Sequence, residues 1–312
     1  MIRRKFEKLF FMMAGAVLAP LYCCRKGHQE DSLNQPVFII GAPRTGSTVL
    51  YQALTNCYEV AYIDNLAAVF YKNLPFGIWL SEKIFGMKPH NTFKSKFGNT
   101  REYGWHAPSE CGQFWYRWLP LDDHYVDRGQ FSASAVTEIH DEIVSCQRVS
   151  GLPMLFKNLN AGQRLRLIAD AFPEAKIIYL KRDPRFTSAS ILKARKENHI
   201  KEGEWWSVKP KNFRQLMALS EVEMVVAQVY YLEHQIEKDL SLFSERNTLR
   251  LHYNELSEGV VRKIGNWLNM DEKSGAEVPE FYRDSDKKMD KELMGQISGM
   301  VEAYPFPGDV PE

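Results

Sequence analysis

The stretch from residue 37 to residue 48 constrains the fold of this 312-residue chain more than any other part of its sequence. Residues 37–40 (Val-Phe-Ile-Ile) are apolar enough to form a buried strand, and the glycines at 41 and 46 bracket a loop that leads into a helical pattern. A strand that enters a helix through such a loop leaves backbone N–H groups unpaired at the helix N-terminus, where the helix dipole is positive. The stretch therefore predicts a cradle for a phosphate group.

This loop is close to the P-loop of kinases and NTPases but departs from it at one position. The Gly-x-x-x-x-Gly spacing matches, yet Ser47 follows the second glycine where that motif requires lysine. Positive charge lies inside the loop instead, at Arg44, whose planar guanidinium could bridge a phosphate and a group transferred from it. A P-loop kinase or NTPase is therefore an alternative that the missing lysine disfavours.

A second apolar strand pattern, residues 176–180, ends in basic residues. It leads into Lys181 and Arg182, and Pro184 then stops the strand. Two serines, Ser188 and Ser190, follow within a helical stretch.

With these two segments the sequence resembles the sulfotransferases that use 3′-phosphoadenosine-5′-phosphosulfate (PAPS), in particular their bacterial-type, single-domain members. In that family a loop of the type [Arg/Lys]-[Ser/Thr]-Gly-[Ser/Thr]-[Thr/Ser] binds the 5′-phosphosulfate, and an Arg with a Ser eight positions later binds the 3′-phosphate. The resemblance implies that the first role belongs to Arg44, Thr45, Gly46, Ser47 and Thr48. It implies that the second belongs to Arg182 and Ser190, with Ser188 as a further candidate in the same helix.

Further stretches also look like landmarks of this family, so the resemblance covers most of the chain between residues 35 and 270. They are residues 155–160, 172–176, 205–210 and 251–256. The implied activity is transfer of a sulfuryl group from PAPS to a hydroxyl acceptor, a reaction that in principle requires no metal.

The pattern of apolar segments predicts an α/β fold with a P-loop-like, doubly wound parallel sheet flanked by helices. Strands are predicted at Val37 to Gly41, Met154 to Lys157, Lys176 to Lys181 and Thr248 to Tyr253. More than a hundred residues separate the first two, too many for a simple crossover, so we expect a large helical insertion there that forms an acceptor-binding cap.

The charge balance and the cysteines exclude several classes of function. Lys plus Arg number 40 against 39 for Asp plus Glu, so the chain lacks the global basic surface of nucleic-acid-binding proteins, and no nucleic-acid partner is expected. The five cysteines are odd in number and lack metal-ligand spacing, which argues against a disulfide scaffold or a metal site.

Several residues are candidates for the chemistry of transfer, which needs a base for the acceptor proton and cations for the departing phosphate. Glu110 is the first candidate for the base, because it lies among aromatic residues and resembles the Glu of a Pro-x-Glu-x-Gly-x-Phe-Trp phrase of bacterial members. His106 is the second candidate and Asp64 the third. Lys157, at the end of a predicted strand, could assist the bridging oxygen, or it could simply reach solvent.

Two tryptophans, Trp205 and Trp206, permit more than one interpretation. They could stack on the adenine or line the acceptor pocket, and a buried aromatic pair in the core is an equal alternative.

Residues 1–30 differ in character from the remaining residues 31–312, which we assign to the sulfotransferase domain. Arg3, Arg4, Lys5 and Lys8 precede an apolar run from Leu9 to Cys24. At 1.5 Å per residue this run reaches roughly 24 Å, short of the roughly 30 Å core of a bilayer. We therefore expect a cytoplasmic enzyme whose N-terminal segment binds the inner face of the membrane, or alternatively a segment that covers the domain itself.

The acceptor is open at this stage. Aromatic residues in the insertion and the N-terminal segment favour a hydrophobic alcohol such as a sterol or lipid, with a saccharide as the alternative. A membrane-associated protein that binds the nucleotide without turnover is the remaining hypothesis.

Overall fold

The apolar strand that precedes the glycine loop at residues 41–46, which we call the phosphate loop after its predicted role, lies at the centre of a five-stranded parallel sheet. This sheet is seen in a computed structural model, which describes residues 35–284 and 290–307. Its strand order is β2-β3-β1-β4-β5. The strands are β1 (Val37–Ile40), β2 (Ala61–Tyr62), β3 (Met154–Lys157), β4 (Lys176–Lys181) and β5 (Thr248–His252).

Both faces of the sheet are buried, as the uninterrupted apolar run of β1 predicts. Because successive side chains of a strand point to opposite faces, Phe38 and Ile40 join one apolar core and Val37 and Ile39 join the other. The register places Ile39 beside Lys157 of β3 and beside Ile178 of β4.

Helices cover the two faces of the sheet. The described residues contain α1 (Ser47–Cys57), α2 (Leu74–Phe85), α3 (Gly112–Trp115), α4 (Ala133–Ser150), α5 (Leu165–Ala171), α6 (Pro184–Glu197), α7 (Phe213–Leu216), α8 (Glu221–Leu240), α9 (Glu258–Leu268) and α10 (Lys291–Glu302). Leucines of α1 and apolar residues of α9 pack on one face, and α2, α4, α5 and α8 contribute to the other. The last helix, α10, packs against α6 and α8.

The structure confirms the predicted fold class and the four predicted strands. As expected, the insertion between β1 and β3 contains helices, among them α2, α3 and α4, but residues 86–111 and 116–132 within it form no helix. It also contributes β2, which pairs with β3 at the edge of the sheet and was not predicted. A two-residue strand is too short to show an alternating or apolar pattern in the sequence.

The predicted membrane-binding segment, residues 1–30, lies outside the described residues. Within residues 35–284 and 290–307, none of the helices combines the length and the hydropathy needed to cross a membrane.

Candidate active site

The phosphate loop lies between the carboxyl end of β1 and the N-terminus of α1, and both of its glycines are required by close contacts. A Cβ on Gly41 would lie 2.4 Å from the carbonyl oxygen of Leu180 in β4. A Cβ on Gly46 would lie 2.5 Å from the ring of Tyr253, and Gly46 also has a left-handed φ of 87°. The loop is therefore packed tightly against β4 and the residues after β5, with the first N–H groups of α1 at its end.

Arg44 stands at the centre of this loop in a left-handed conformation, with φ of 70°. Its Nε donates a hydrogen bond of 3.1 Å to Oγ of Ser190 in α6, and its guanidinium lies 5.6 Å from the ring centroid of Phe97. Burial, and secondarily the positive charge of Arg182, lower the pKa of the Arg44 guanidinium. Two like charges held close together in a buried setting favour the binding of an anion.

Arg182, at the end of β4, connects the two predicted cofactor motifs. Its Nη1 donates a hydrogen bond of 2.7 Å to the carbonyl oxygen of Arg44. Its Nε and Nη2 donate to the carboxylate of Asp284, at 3.0 Å and 2.6 Å from Oδ1. The ring of Tyr253 covers one face of the guanidinium, with 4.7 Å between the Arg182 Cζ and the ring centroid. Two segments that are 138 residues apart in sequence thus meet at one site.

The two serines of α6 have different surroundings. Ser190 contacts Arg44, whereas Ser188 is fully buried and its hydroxyl has no hydrogen-bond partner among the described residues. Within the loop itself, Thr45 is fully buried and its hydroxyl donates to the carbonyl oxygen of Ala42 at 3.0 Å. The structure therefore brings Ser190 next to the phosphate loop, while Ser188 lies inside the helix packing.

A second charged pair lies at the carboxyl end of β3. Lys157, which is 2% exposed, donates to Oε1 of Glu110 in the insertion. Glu110 directly precedes Cys111, which adopts a left-handed φ of 42° and is the N-cap residue of α3. Burial raises the pKa of the Cys111 thiol to about 11, so this side chain is a neutral packing group.

One turn of the insertion contacts both charged groups of the site. Residues 96–99 form a tight turn in which Phe97 and Gly98 both have positive φ, at 51° and 88°. The turn brings the Gly98 backbone next to Glu110, Thr48 and Lys157, because a Cβ built on Gly98 would lie 3.2, 3.3 and 3.6 Å from their polar atoms. Phe97 lies against Arg44 in the same turn.

This turn belongs to a segment without regular secondary structure, residues 87–100, which we call the covering segment. Its anchors are on α1. Asn56 donates to the side chain of Asn91 at 2.7 Å, Gln52 donates to the carbonyl oxygen of Lys94 at 3.1 Å, and His90 contacts the Thr55 hydroxyl at 3.1 Å. Burial lowers the pKa of His90 to about 3, so this anchor is neutral at physiological pH.

His106 and Asp64, the other candidates for the base, form a separate network. Asp64 is fully buried and accepts hydrogen bonds from Ser81 Oγ at 2.5 Å and from the Ala67 backbone at 2.7 Å. Nδ1 of His106 lies 3.0 Å from the same carboxylate, and its Nε2 lies 3.1 Å from the carbonyl oxygen of Lys88 in the covering segment. These contacts connect the start of the covering segment to β2 and α2, and none of them is with the phosphate loop.

Trp205 and Trp206 pack at the edge of the core that α6, α8 and α10 form. The indole N–H of Trp205 donates to the carbonyl oxygen of Val208 at 3.2 Å, and its ring contacts Phe213. These contacts favour the interpretation of Trp205 and Trp206 as an aromatic pair that packs in the core.

Comparison with known proteins identifies the family. A sequence model described as "Sulfotransferase family" matches residues 36–273. This range includes the phosphate loop, the insertion, the pair of Glu110 and Lys157, and Arg182. The chain belongs to the sulfotransferase family. Membership in this family makes the protein an enzyme that transfers a sulfuryl group, with a donor of the PAPS type.

Several solved structures resemble this sulfotransferase at low sequence identity. Sulfotransferase STF9 from Mycobacterium avium is 15% identical with a TM-score of 0.46, over 88% of this chain and 69% of that one. The sulfotransferase domain of the Synechococcus PCC 7002 olefin synthase is 14% identical with a TM-score of 0.42, over 92% and 99% of the two chains. Retinol dehydratase in complex with androsterone and the inactive cofactor PAP is 12% identical with a TM-score of 0.34, over 89% and 83%. A search of proteins of curated function found no match.

The sequence interpretation missed three residues of this site: Phe97, Tyr253 and Asp284. Each reaches the site from a segment that is distant in sequence from the motif it contacts. Tyr253 lies in the family landmark at residues 251–256, for which the sequence indicated no role. Near Phe97, the Gly98-Asn99 dipeptide is typical of a turn but does not indicate what the turn contacts.

Changing Gly98 to Ala tests the contact between the covering segment and the charged residues. The new Cβ would lie 3.2 Å from Glu110 Oε1 and 3.3 Å from Thr48 Oγ1, at a φ that side chains rarely adopt. We expect the turn to shift and kcat to fall by about tenfold, because a displacement of catalytic groups by about 1 Å is costly.

Gly104→Ala is the matched control for that variant. Gly104 is in the same insertion and has a φ of 113°, but a Cβ there would meet nothing within 4 Å. It reproduces the backbone strain without the contact, so its kcat should stay close to that of the wild type. Equal kcat values for the two variants would show that the turn does not constrain Glu110 and Thr48.

Proposed function

We propose that this sulfotransferase moves the sulfuryl group of PAPS to the hydroxyl of a hydrophobic alcohol such as a sterol or a lipid. The observation that carries the donor assignment is the pair of contacts that Arg44 makes, with Ser190 through its side chain and with Arg182 through its carbonyl oxygen. The family resemblance implies that the motif of Arg44 binds the 5′-phosphosulfate and that the motif of Arg182 and Ser190 binds the 3′-phosphate of the same nucleotide. Their direct contact supports a single site for both ends.

In the proposed reaction the acceptor oxygen forms a bond with sulfur while the bond from sulfur to the 5′-phosphate oxygen breaks. Glu110 takes the acceptor proton, and the electron pair of the broken bond stays on the departing 3′-phosphoadenosine-5′-phosphate (PAP). Arg44 and Lys157 stabilise the negative charge that develops on the bridging oxygen.

The ion pair between Glu110 and Lys157 couples these two events. While Glu110 is ionised, Lys157 donates to it, and Lys157 is almost completely buried. Protonation of Glu110 weakens this hydrogen bond, which frees the ammonium to donate to the departing oxygen. Charge would thus move to the leaving group as the acceptor proton arrives on the base.

The proposal of a hydrophobic acceptor is supported by the aromatic character of the insertion. Phe97 lies against Arg44, and Trp105 is 60% exposed. The ring of Phe93 contacts His90, and the ring of Phe85 stacks on His106. Aromatic faces also bind sugars, so a saccharide is the other acceptor class that the experiment must distinguish.

Incubation of the purified enzyme with labelled PAPS and separate lipid and saccharide extracts of its host tests this proposal. Mass spectrometry should detect label in a lipid-soluble product. Labelled product confined to the saccharide extract would overturn the acceptor assignment. Hydrolysis of ATP that depends on Mg²⁺, with no transfer from PAPS, would overturn the donor assignment.

We further propose that residues 1–30 hold the enzyme at the inner face of the membrane, and their deletion tests this. The cut precedes β1, so PAP binding and turnover of a water-soluble alcohol should persist. Turnover of an alcohol embedded in anionic vesicles should fall by about tenfold or more, because the local concentration at the surface is lost. Rates on both acceptors and binding to vesicles by sedimentation are the measurements.

High salt provides an independent check on the full-length enzyme. It should reduce vesicle binding in part, because salt screens the basic residues on both sides of the apolar run but does not affect the burial of that run. These basic residues are Arg3, Arg4, Lys5, Lys8, Arg25 and Lys26. If the truncated protein unfolds or loses PAP binding, the segment belongs to the core of the domain and the membrane proposal is wrong.

A further inference from the structure

We propose that Asp284 and the 3′-phosphate of the nucleotide compete for Arg182, so that the return of this carboxylate assists the release of PAP. This inference rests on the proposed function, in which Arg182 binds the 3′-phosphate. It concerns a residue outside the part of the chain that the family comparison matches, which ends at residue 273.

Arg182 is enclosed in this structure. Its side chain is 6% exposed, and that of Asp284 is 2% exposed. The carboxylate occupies the fork formed by Nε and Nη2, the Arg44 carbonyl oxygen accepts from Nη1, and the Tyr253 ring covers one face. A phosphate can therefore reach this fork only if one of the present partners of Arg182 moves away.

Asp284 is the partner that a phosphate would replace. The fork of a guanidinium binds carboxylate and phosphate oxygens in the same bidentate geometry. The Arg44 carbonyl belongs to the phosphate loop itself, and its loss would disturb the neighbouring 5′ site. Asp284 belongs to a separate segment. Its backbone N–H donates a hydrogen bond of 3.0 Å to Oδ1 of Asn254.

The charges around the fork favour exchange over simultaneous binding. Arg44 and Arg182 are the cations that these contacts bring together, whereas a phosphate dianion and Asp284 would place three negative charges beside them. Like charges held within a few ångströms of each other in a buried site repel strongly. The carboxylate of Asp284 prevents the burial of an unpaired Arg182 guanidinium, which would be strongly destabilising.

Competition of this kind has a consequence for turnover. A nucleotide that binds Arg182 must displace a hydrogen-bonded carboxylate, so its net affinity is lower than the phosphate contact alone would give. The same carboxylate recaptures Arg182 when PAP leaves. Release of product limits the rate of many enzymes, and an internal competitor for the product's phosphate shortens its residence.

Asp284→Asn tests the exchange, with 5′-AMP as the matched ligand because it lacks only the 3′-phosphate of PAP. We expect the variant to bind PAP about tenfold more tightly by calorimetry, a change of about 1.4 kcal/mol, with AMP affinity unchanged. Inhibition by PAP should become stronger and kcat should fall. Asp284→Ala should behave alike, which guards against an effect of the introduced amide.

Asp239→Asn is the control variant. Asp239 is buried and also pairs with an arginine, Arg166, at 3.0 Å, and it contacts neither cofactor motif. It should lower the melting temperature without changing the affinity for PAP.

The outcomes distinguish a failure of the exchange from a failure of the 3′-phosphate assignment. If both Asp284 variants bind PAP as weakly as the wild type or more weakly, the carboxylate only orients Arg182 and the exchange is wrong. If the wild-type enzyme binds PAP no more tightly than AMP, the assignment of Arg182 to the 3′-phosphate fails, whatever the variants do.

Discussion

Glu110→Gln should lower kcat by about 10² to 10⁴ while PAP affinity stays within about threefold of the wild type. The amide keeps the shape of the side chain and can still accept a hydrogen bond from Lys157, but it cannot take a proton from the acceptor. It also removes the counter-charge of a lysine that is 2% exposed, so a lower melting temperature should accompany the loss of turnover. Initial rates, calorimetry with PAP and thermal unfolding measure the three effects.

Glu142→Gln is the matched control for this prediction. Glu142 also pairs with a cation, Arg117, at 2.9 Å, on helix α4 of the same insertion. Its loss should change stability slightly and leave kcat unaltered.

The competing candidates for the base make the ranking testable. Asp64 is fully buried and holds three donors, so Asp64→Asn should destabilise the protein and its activity must be compared per folded molecule. If His106→Ala or Asp64→Asn abolishes transfer in folded protein and Glu110→Gln does not, Glu110 is not the base.

Arg44→Ala should reduce kcat by about 10² to 10³, the usual effect of removing one donor that stabilises charge in the transition state. The change removes a positive charge from the phosphate loop, together with the contacts to Ser190 and Phe97. Arg44→Lys should recover only part of the rate, because an ammonium keeps the charge but lacks the planar fork.

The backbone at this position requires a further variant. Arg44 has a φ of 70°, which strains alanine but not glycine. Arg44→Gly removes the same side chain without that strain, so it should be as inactive as Arg44→Ala. A fully active Arg44→Gly would show that the loop conformation matters and that the guanidinium does not.

The sequence predicted the parts of this protein that depend on neighbours in the chain. Four apolar runs predicted four strands, and the glycine loop after the first predicted that the chain enters a helix there, which is α1. Parallel strands end at the same edge of a sheet, so the order of the strand-end motifs was enough to expect Arg44, Lys157 and Arg182 at that edge.

Tertiary structure alone decided which side chains surround those motifs. The partner of Lys157 is Glu110, 47 positions away, and the partner of Arg182 is Asp284, 102 positions away. The short strand β2 and the turn at Phe97 and Gly98 likewise depend on packing against β3 and α1. A sequence pattern reports the periodicity of one element and the residues of one loop, whereas ion pairs and covering turns form between elements. Which residues form these contacts depends on the length and path of the connections between the elements, and local periodicity does not encode that path.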